Sequence, residues 1–211
     1  MNFGYVKFIR PQHPTLRQWI KGYYVQQSNQ EDFHTSLTFY QNITTTISVY
    51  KDSATTSSGR YRQQRFQAGK GFSALLVGLV DKYQQVEFFG PIDRLGIVFY
   101  PLGINHFLRQ PLGDLLKRHY SFFDCYEDAF TTFLPAVYAA DKLEQKRDLL
   151  DDFFLHRFQA PDLPLLFKAV ELLTTSDEEL KVQVLAAKLG VSRRTLLRRF
   201  KKYLGYSVEE Y

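Results

Sequence analysis

Between Lys181 and Tyr203 the chain carries eight basic residues and no acidic one, and the run is punctuated once, by Gly190-Val191-Ser192. Each residue of that punctuation has a local task. Gly190 can enter the left-handed backbone region without a Cβ clash and so end a helix. Ser192 can cap the next helix by accepting a backbone N–H on its hydroxyl. Val191, apolar between them, is expected to point into a core. The flanking stretches, Val182 to Leu189 and Arg193 to Leu204, place Leu185, Leu189, Leu196 and Phe200 at helical spacing, and the small Ala186 lets two helices cross closely. A glycine turn between a short helix and a basic one describes a helix-turn-helix, whose second helix enters the DNA major groove N-terminal residues first.

The charge distribution points the same way. The whole chain has 27 Lys and Arg against 22 Asp and Glu, a net +5; outside the basic segment 19 bases face all 22 acids. The excess positive charge therefore sits in one short stretch, the footprint expected for phosphate backbones. With Leu196 and Phe200 turned to a core, Arg194, Leu197, Arg198 and Lys201 lie toward the other side of the helix. Arg194 and Arg198 are one turn apart and can present guanidinium forks to guanine edges, and Leu197 can touch a thymine methyl. Arg193, Lys201 and Lys202 are expected on phosphates, which position without reading sequence. Ser192 and Thr195, at the start of the helix, complete the expected DNA-binding set. Arg199 can instead pack against the core.

Residues 1–110 read mainly as strands. Runs rich in β-branched and aromatic residues recur at Gly22 to Val25, Leu37 to Tyr40, Thr44 to Tyr50, Ala74 to Val80, Gln85 to Phe89 and Leu95 to Tyr100. Polar or glycine-bearing stretches such as Asp52 to Gly59 and Ala68 to Gly71 separate them, and Pro14 can start a short helix over Thr15 to Ile20. Several short strands with turn signals suggest a barrel or a sandwich. Helices follow over Pro111 to His119, over Glu127 to Ala140 with a kink or break at Pro135, and over Asp141 to Phe158. The last is amphipathic, with Leu143, Leu150, Phe153, Phe154 and Phe158 on helical spacing, and offers a seam for a homodimer formed through helices between about 111 and 158. Ala160-Pro161-Asp162 is the candidate linker. The expected layout is thus a strand-rich unit at 1–110, a helical dimerisation or linker region at 111–160, and a DNA-binding unit at 161–211.

The longer C-terminal string, Leu185-Ala186, Leu189-Gly190-Val191-Ser192, Arg194, Leu196, Arg198, Phe200-Lys201-Lys202, Leu204-Gly205, Ser207 and Tyr211, resembles the first helix-turn-helix of the AraC-type transcriptional regulators. The match covers about Lys181 to Tyr211, preceded by a less specific helix at Leu163 to Leu173, and the family's positions agree for Arg194, Leu197 and Arg198. Val208 stands where the family usually has proline after the serine. Family members carry two such units joined by a long helix; this chain stops at Tyr211, where that helix would begin, so only the first unit is expected here. Arg94 to Gly103, Phe107 and Pro111 to Leu115 look like the sensing or dimerisation domain of some members. The resemblance therefore implies an α+β chain: an N-terminal cupin-like β-barrel, then helices, then the helix-turn-helix. It also implies double-stranded DNA as partner, a homodimer and a small-molecule effector.

Other chemistry is not signalled. No apolar run reaches the about 18 residues of a membrane span, and the N-terminus lacks a signal peptide's apolar run, so no membrane partner is expected and the cytosol is the expected compartment. Cys125, the single cysteine, can form neither an internal disulfide nor a multi-cysteine metal site. Pro101-Leu-Gly103-Ile-Asn-His106 partly imitates the second metal motif of cupins, but the His-X-His partner is absent, and His13, His34, His119 and His156 show no ligand spacing. His106 is expected at the surface or at a helix start, and no metal or cofactor is expected. Gly69-Lys70-Gly71 lacks the phosphate-loop frame, Asn42-Ile43-Thr44 is a chance glycosylation sequon, and no catalytic triad motif is present. Two alternatives remain: an interaction or small-molecule-binding module that does not bind DNA, and a cupin-type enzyme, for which no metal or acid–base constellation is found.

Overall fold

Strands β1 (Tyr5–Ile9), β2 (Ile20–Ser28), β4 (Thr45–Lys51), β7 (Phe72–Val77), β9 (Ile92–Phe99) and β10 (Tyr120–Phe122) form an antiparallel sheet in the order β1-β2-β9-β4-β7-β10. Strands β3 (His34–Asn42), β8 (Val80–Phe89), β6 (Tyr61–Phe66) and β5 (Ser53–Ser58) form a second sheet in the order β3-β8-β6-β5, in which only β6 and β8 run parallel. The computed structural model describes residues 5–116, 120–124, 126–176 and 180–211. The readings for His119 and Cys125 lie outside the described residues.

The two-residue period of a strand sends alternate side chains to opposite faces. On β4, Ile47 and Val49 face one way, with Ile47 opposite Leu76 and Ile97, and Val49 opposite Ala74 and Leu95. That outer face is covered by α3 (Glu127–Ala139) and α4 (Leu143–Leu155), through Phe130, Leu134, Val137, Leu150, Phe153 and Phe154. The inner face meets the second sheet, where Tyr50, Leu75 and Ile92 pack with Phe33, Val86 and Phe88. The arrangement is three-layered: helices, sheet, sheet.

Several expectations are corrected. The barrel is not closed: β1 and β10 end one sheet, β3 and β5 end the other, and no backbone pairing joins the two among the described residues. The sandwich reading of the strands fits. Asp52 to Gly59, read as a connection, contains β5; an outer strand bonded only to β6 needs no apolar alternation. Among the described residues of the stretch read as a helix over Pro111 to His119, the helix is α2 (Leu112–Leu115), and β10 pairs with β7. Pro135 neither breaks nor ends α3. The apolar stripe of α4 that suggested a dimer seam is covered inside the chain by the six-stranded sheet.

Polar anchors fix the helices. The Asp151 carboxylate on α4 accepts hydrogen bonds from Tyr23 Oη at 2.8 Å and from the Gln12 backbone N–H at 2.7 Å, and Lys146 Nζ donates to the Val137 carbonyl at 2.8 Å. The short α1 (Pro14–Arg17) opens on its proline as expected.

The C-terminal helices α5 (Pro164–Thr175), α6 (Val182–Lys188) and α7 (Arg193–Leu204) share a separate core of Leu166, Ala169, Leu185, Ala186, Leu196 and Phe200. They are seated on the rest of the chain. Leu102 belongs to their core, Asn105 Nδ2 donates to the Tyr203 carbonyl at 2.9 Å, and Phe167 lies 5.3 Å from Trp19. His106 is not at the surface. It ends a 3-10 turn (Gly103–His106), is 4% exposed, stacks on Trp19 at 3.7 Å and on Phe158 at 5.4 Å, and its Nδ1 bonds the Gln159 carbonyl. Burial pushes its pKa below the ordinary value, and the bond to Gln159 opposes that shift.

Candidate functional site

Two regions hold the residues with chemistry to offer. The first is the pair α6–α7. Helix α6 ends at Lys188 with Leu189 as its C-cap, and Gly190 follows with φ of 66°. The Val191 N–H reaches back to the Ala186 carbonyl and the Gly190 N–H to the Ala187 carbonyl, the two bonds of a Schellman stop. Ser192 then caps α7, its Oγ accepting the Thr195 N–H at 3.2 Å. At the far end Gly205, at φ of 84°, bonds the Lys201 carbonyl. Ala186, 3% exposed, is the small residue at the crossing of the two helices.

These ends set the rotation of α7. Leu196, Phe200 and Leu204 are buried; Arg193, Arg194, Arg198, Lys201 and Lys202 are exposed; Thr195, Leu197 and Arg199 are half-buried. The basic side chains assigned to base edges and to phosphates are therefore all exposed on one helix, whereas Leu197 packs partly against the core of the C-terminal helices. Arg193 lies 3.8 Å from Glu209, and Lys202 lies over the Tyr203 ring. Among the described residues Arg194, Arg198, Lys201 and Lys202 make no ion pair.

The second region was not foreseen. A cavity of about 490 Å³ lies between the two sheets. Tyr24, Gln26, Ser48, Arg94 and Val98 line it from the six-stranded sheet, and Leu37, Phe39, Arg62, Val80 and Gln84 from the other. Val6 and Phe8, on the outer strand β1, line it as well and are 54% and 51% exposed, which places an opening at that edge. Tyr24 lies flat across Gly96, where any Cβ would overlap its ring. Gly78 also lines the cavity, and a Cβ there would overlap Leu116 Cδ2 and Tyr206 Oη.

Two arginines end inside this space. Arg94, 5% exposed, donates from Nη2 to Ser48 Oγ at 3.0 Å and sits 5.0 Å and 5.3 Å from the rings of Tyr24 and Tyr50; its Nε has no partner. Arg62, 1% exposed, lies 5.3 Å from the Tyr120 ring, and its Nε and Nη1 have no partner. Taking a guanidinium out of water without a counter-ion is costly. Burial pushes the Arg62 pKa down from its ordinary value. A sequence signal for Arg94 existed: it stands in phase with Ile92, Gly96 and Val98 on a strand whose other phase is Leu95, Ile97 and Phe99. Arg62 had none, because Tyr61–Phe66 reads as polar surface.

Of the histidines, His13 accepts the Thr15 N–H, His34 stacks on Phe89 and His156 bonds the Asp152 carbonyl. Among the described residues no group of three or more His, Cys, Asp or Glu is placed to hold a metal ion, and no helix is long and apolar enough to cross a membrane.

Comparison with known proteins places the chain as follows. No curated protein sequence matches it. Among solved structures, apo ToxT from Vibrio cholerae is 14% identical, with a TM-score of 0.44 over 89% of this chain and 77% of that one. Wild-type ToxT with an unsaturated fatty acid bound is 14% identical, with a TM-score of 0.44 over 89% and 76% of the two chains. Similarity at this level does not assign a fold. A sequence-family profile described as a domain of unknown function (DUF6597) matches residues 8–121, more than half of the chain. The chain therefore belongs to the DUF6597 family.

Proposed function

We propose that the chain is a DNA-binding transcriptional regulator of the AraC type. It reads the major groove with α7, and its strand-rich half receives an effector. The observation that supports this best is the outward side of α7: Arg194, Arg198, Lys201 and Lys202 exposed and, among the described residues, free of ion pairs, on a helix capped by Ser192 and anchored by Leu196 and Phe200. Arg194 and Arg198 read bases, Leu197 contacts a thymine methyl, and Arg193, Lys201 and Lys202 supply sequence-independent attraction. Ser192 and Thr195 hold the N-terminal turn that approaches the DNA backbone. The role is one of binding, with no catalytic step assigned. A single unit offers few contacts, so the reading includes a homodimer, and sedimentation showing only monomer at high micromolar concentration removes that part.

The test compares a duplex enriched from a random pool with bulk random duplex at several salt concentrations. Arg198→Ala should weaken the enriched duplex by about 1–3 kcal/mol and relax preference at one base pair. Lys202→Ala should weaken both duplexes alike and lower the salt slope by about one. Equal losses on both duplexes from both variants would overturn the division between reading and positioning. Absence of duplex binding at low salt would overturn the regulator reading and leave a module that does not bind DNA.

A further inference from the structure

The geometry points to the inter-sheet cavity as a binding site for an organic carboxylate with an apolar body, its headgroup held between Arg62 and Arg94. This deepens the effector role proposed above and rests on that reading only for its consequence at DNA.

The two arginines reach the cavity from opposite walls, Arg62 from β6 and Arg94 from β9. Three of their nitrogens, Arg62 Nε, Arg62 Nη1 and Arg94 Nε, are buried without a hydrogen-bond partner among the described residues. Among the described residues neither arginine is paired with a carboxylate. The groups around them are neutral hydroxyls, an amide and aromatic rings. Burial and the Arg94 charge both lower the Arg62 pKa, while at Arg94 the effect of burial is outweighed by Tyr24 and Tyr50. Two neighbouring buried cations, with donors unused and space beside them, are a receptor for an anion. Arginine keeps its charge at any physiological pH, so relief has to come from a counter-charge and not from proton loss.

The remaining wall sets the rest of the ligand. Leu37, Phe39, Val77, Val80 and Val98 form an apolar stretch of it, beside the polar Asn42, Thr44, Thr46 and Gln84, and that stretch suits an apolar body beyond the headgroup. The volume suits one small molecule, and the exposed Val6 and Phe8 at the β1 edge give an apolar body a way in.

The experiment uses the full chain and two matched pairs of probes that differ in the headgroup alone: decanoate against decanol, and naphthoate against naphthol. Calorimetric titration should show at least one carboxylate bound about tenfold or more tightly than its alcohol, as expected for hydrogen bonds to a charged partner. Carbon NMR of carboxyl-labelled ligand should show the bound headgroup staying ionised at a pH where the free acid takes up its proton. Arg62→Met should remove the preference and, by deleting an uncompensated buried charge, raise the melting temperature of the ligand-free chain. Equal affinity within both pairs, or an unshifted titration of the bound carboxyl in the wild-type chain, overturns the site whether or not Arg62→Met folds. A carboxylate preference that survives Arg62→Met also overturns it. These measurements contain no DNA, so loss of duplex binding with the carboxylate preference intact sinks the regulator reading alone, and the converse sinks the anion site alone.

Discussion

On strand β4 the side chains of Ile47 and Val49 are wholly buried against the helical layer, while Thr46 and Ser48 of the same strand line the cavity. Strand β9 repeats the division, with Leu95, Ile97 and Phe99 outward and Arg94, Gly96 and Val98 inward; so does β2, with Tyr23 and Val25 against Tyr24 and Gln26. The outer face is closed by aromatic edges, as where Phe154 meets Phe99 at 5.7 Å and Phe107 at 5.1 Å. The inner face keeps a void and two unneutralised cations. The same strands thus serve two purposes by alternation alone: one face holds the fold, and the other forgoes packing to keep room and charge available.

That division can be broken most directly from the outer face. Phe154 has no exposure, and Phe154→Ala should lower unfolding stability by about 3–5 kcal/mol in urea titration. A loss no larger than for inward substitutions would mean that the faces do not differ. On the inner face, Gly96→Ala forces the Tyr24 ring off the strand and into the cavity, at a cost of about 1–3 kcal/mol. The double variant Gly96→Ala with Tyr24→Ala should recover most of that loss, and simple additivity would show that the two do not compete for space.

Away from the sheet the effects shrink. Ser192→Ala should remove about 1 kcal/mol through the lost cap. Hydrogen exchange should report faster exchange at the start of α7 and unchanged protection in β4 and β9. The smallest effect is a pH dependence at His106. Burial holds its folded pKa below the ordinary 6.5, so below that pH the unfolded chain takes up a proton more readily than the folded one. Its contribution is present above the ordinary value and is lost as pH falls through the folded one. The melting temperature should therefore decline as pH drops below 6.5, with a change in Trp19 fluorescence, since Trp19 is the single tryptophan and stacks on the ring. His106→Phe should flatten the decline; an unaltered profile would assign it to other groups.

Helix α7 was legible in the sequence to the residue, because Ser192, Gly190 and Gly205 mark its surroundings with local backbone chemistry. Strands with apolar alternation were legible too. Strand β5 was not, because Ser53–Ser58 is polar and is held by its ladder to β6 and by the hydroxyl of Tyr120 on Ser57, partners that no local pattern announces. Sheet closure was not either, since which edges pair depends on partners far along the chain. His106 was misplaced for the same reason: its burial is set by Trp19, on the other side of eight strands of sequence. The cavity needs both sheets in place before Arg62 and Arg94 share a space, and neither residue signals the other.

At Gly78 the partition between the cavity and the C-terminal helices is one residue thick. Cavity lies on one side, and Leu116 and Tyr206 press on the other with no slack for even a methyl group. Tyr206 comes two residues after Leu204, the last residue of α7. The sandwich and the stem of the basic helix therefore touch through side chains at Gly78, independently of the 160–162 connection.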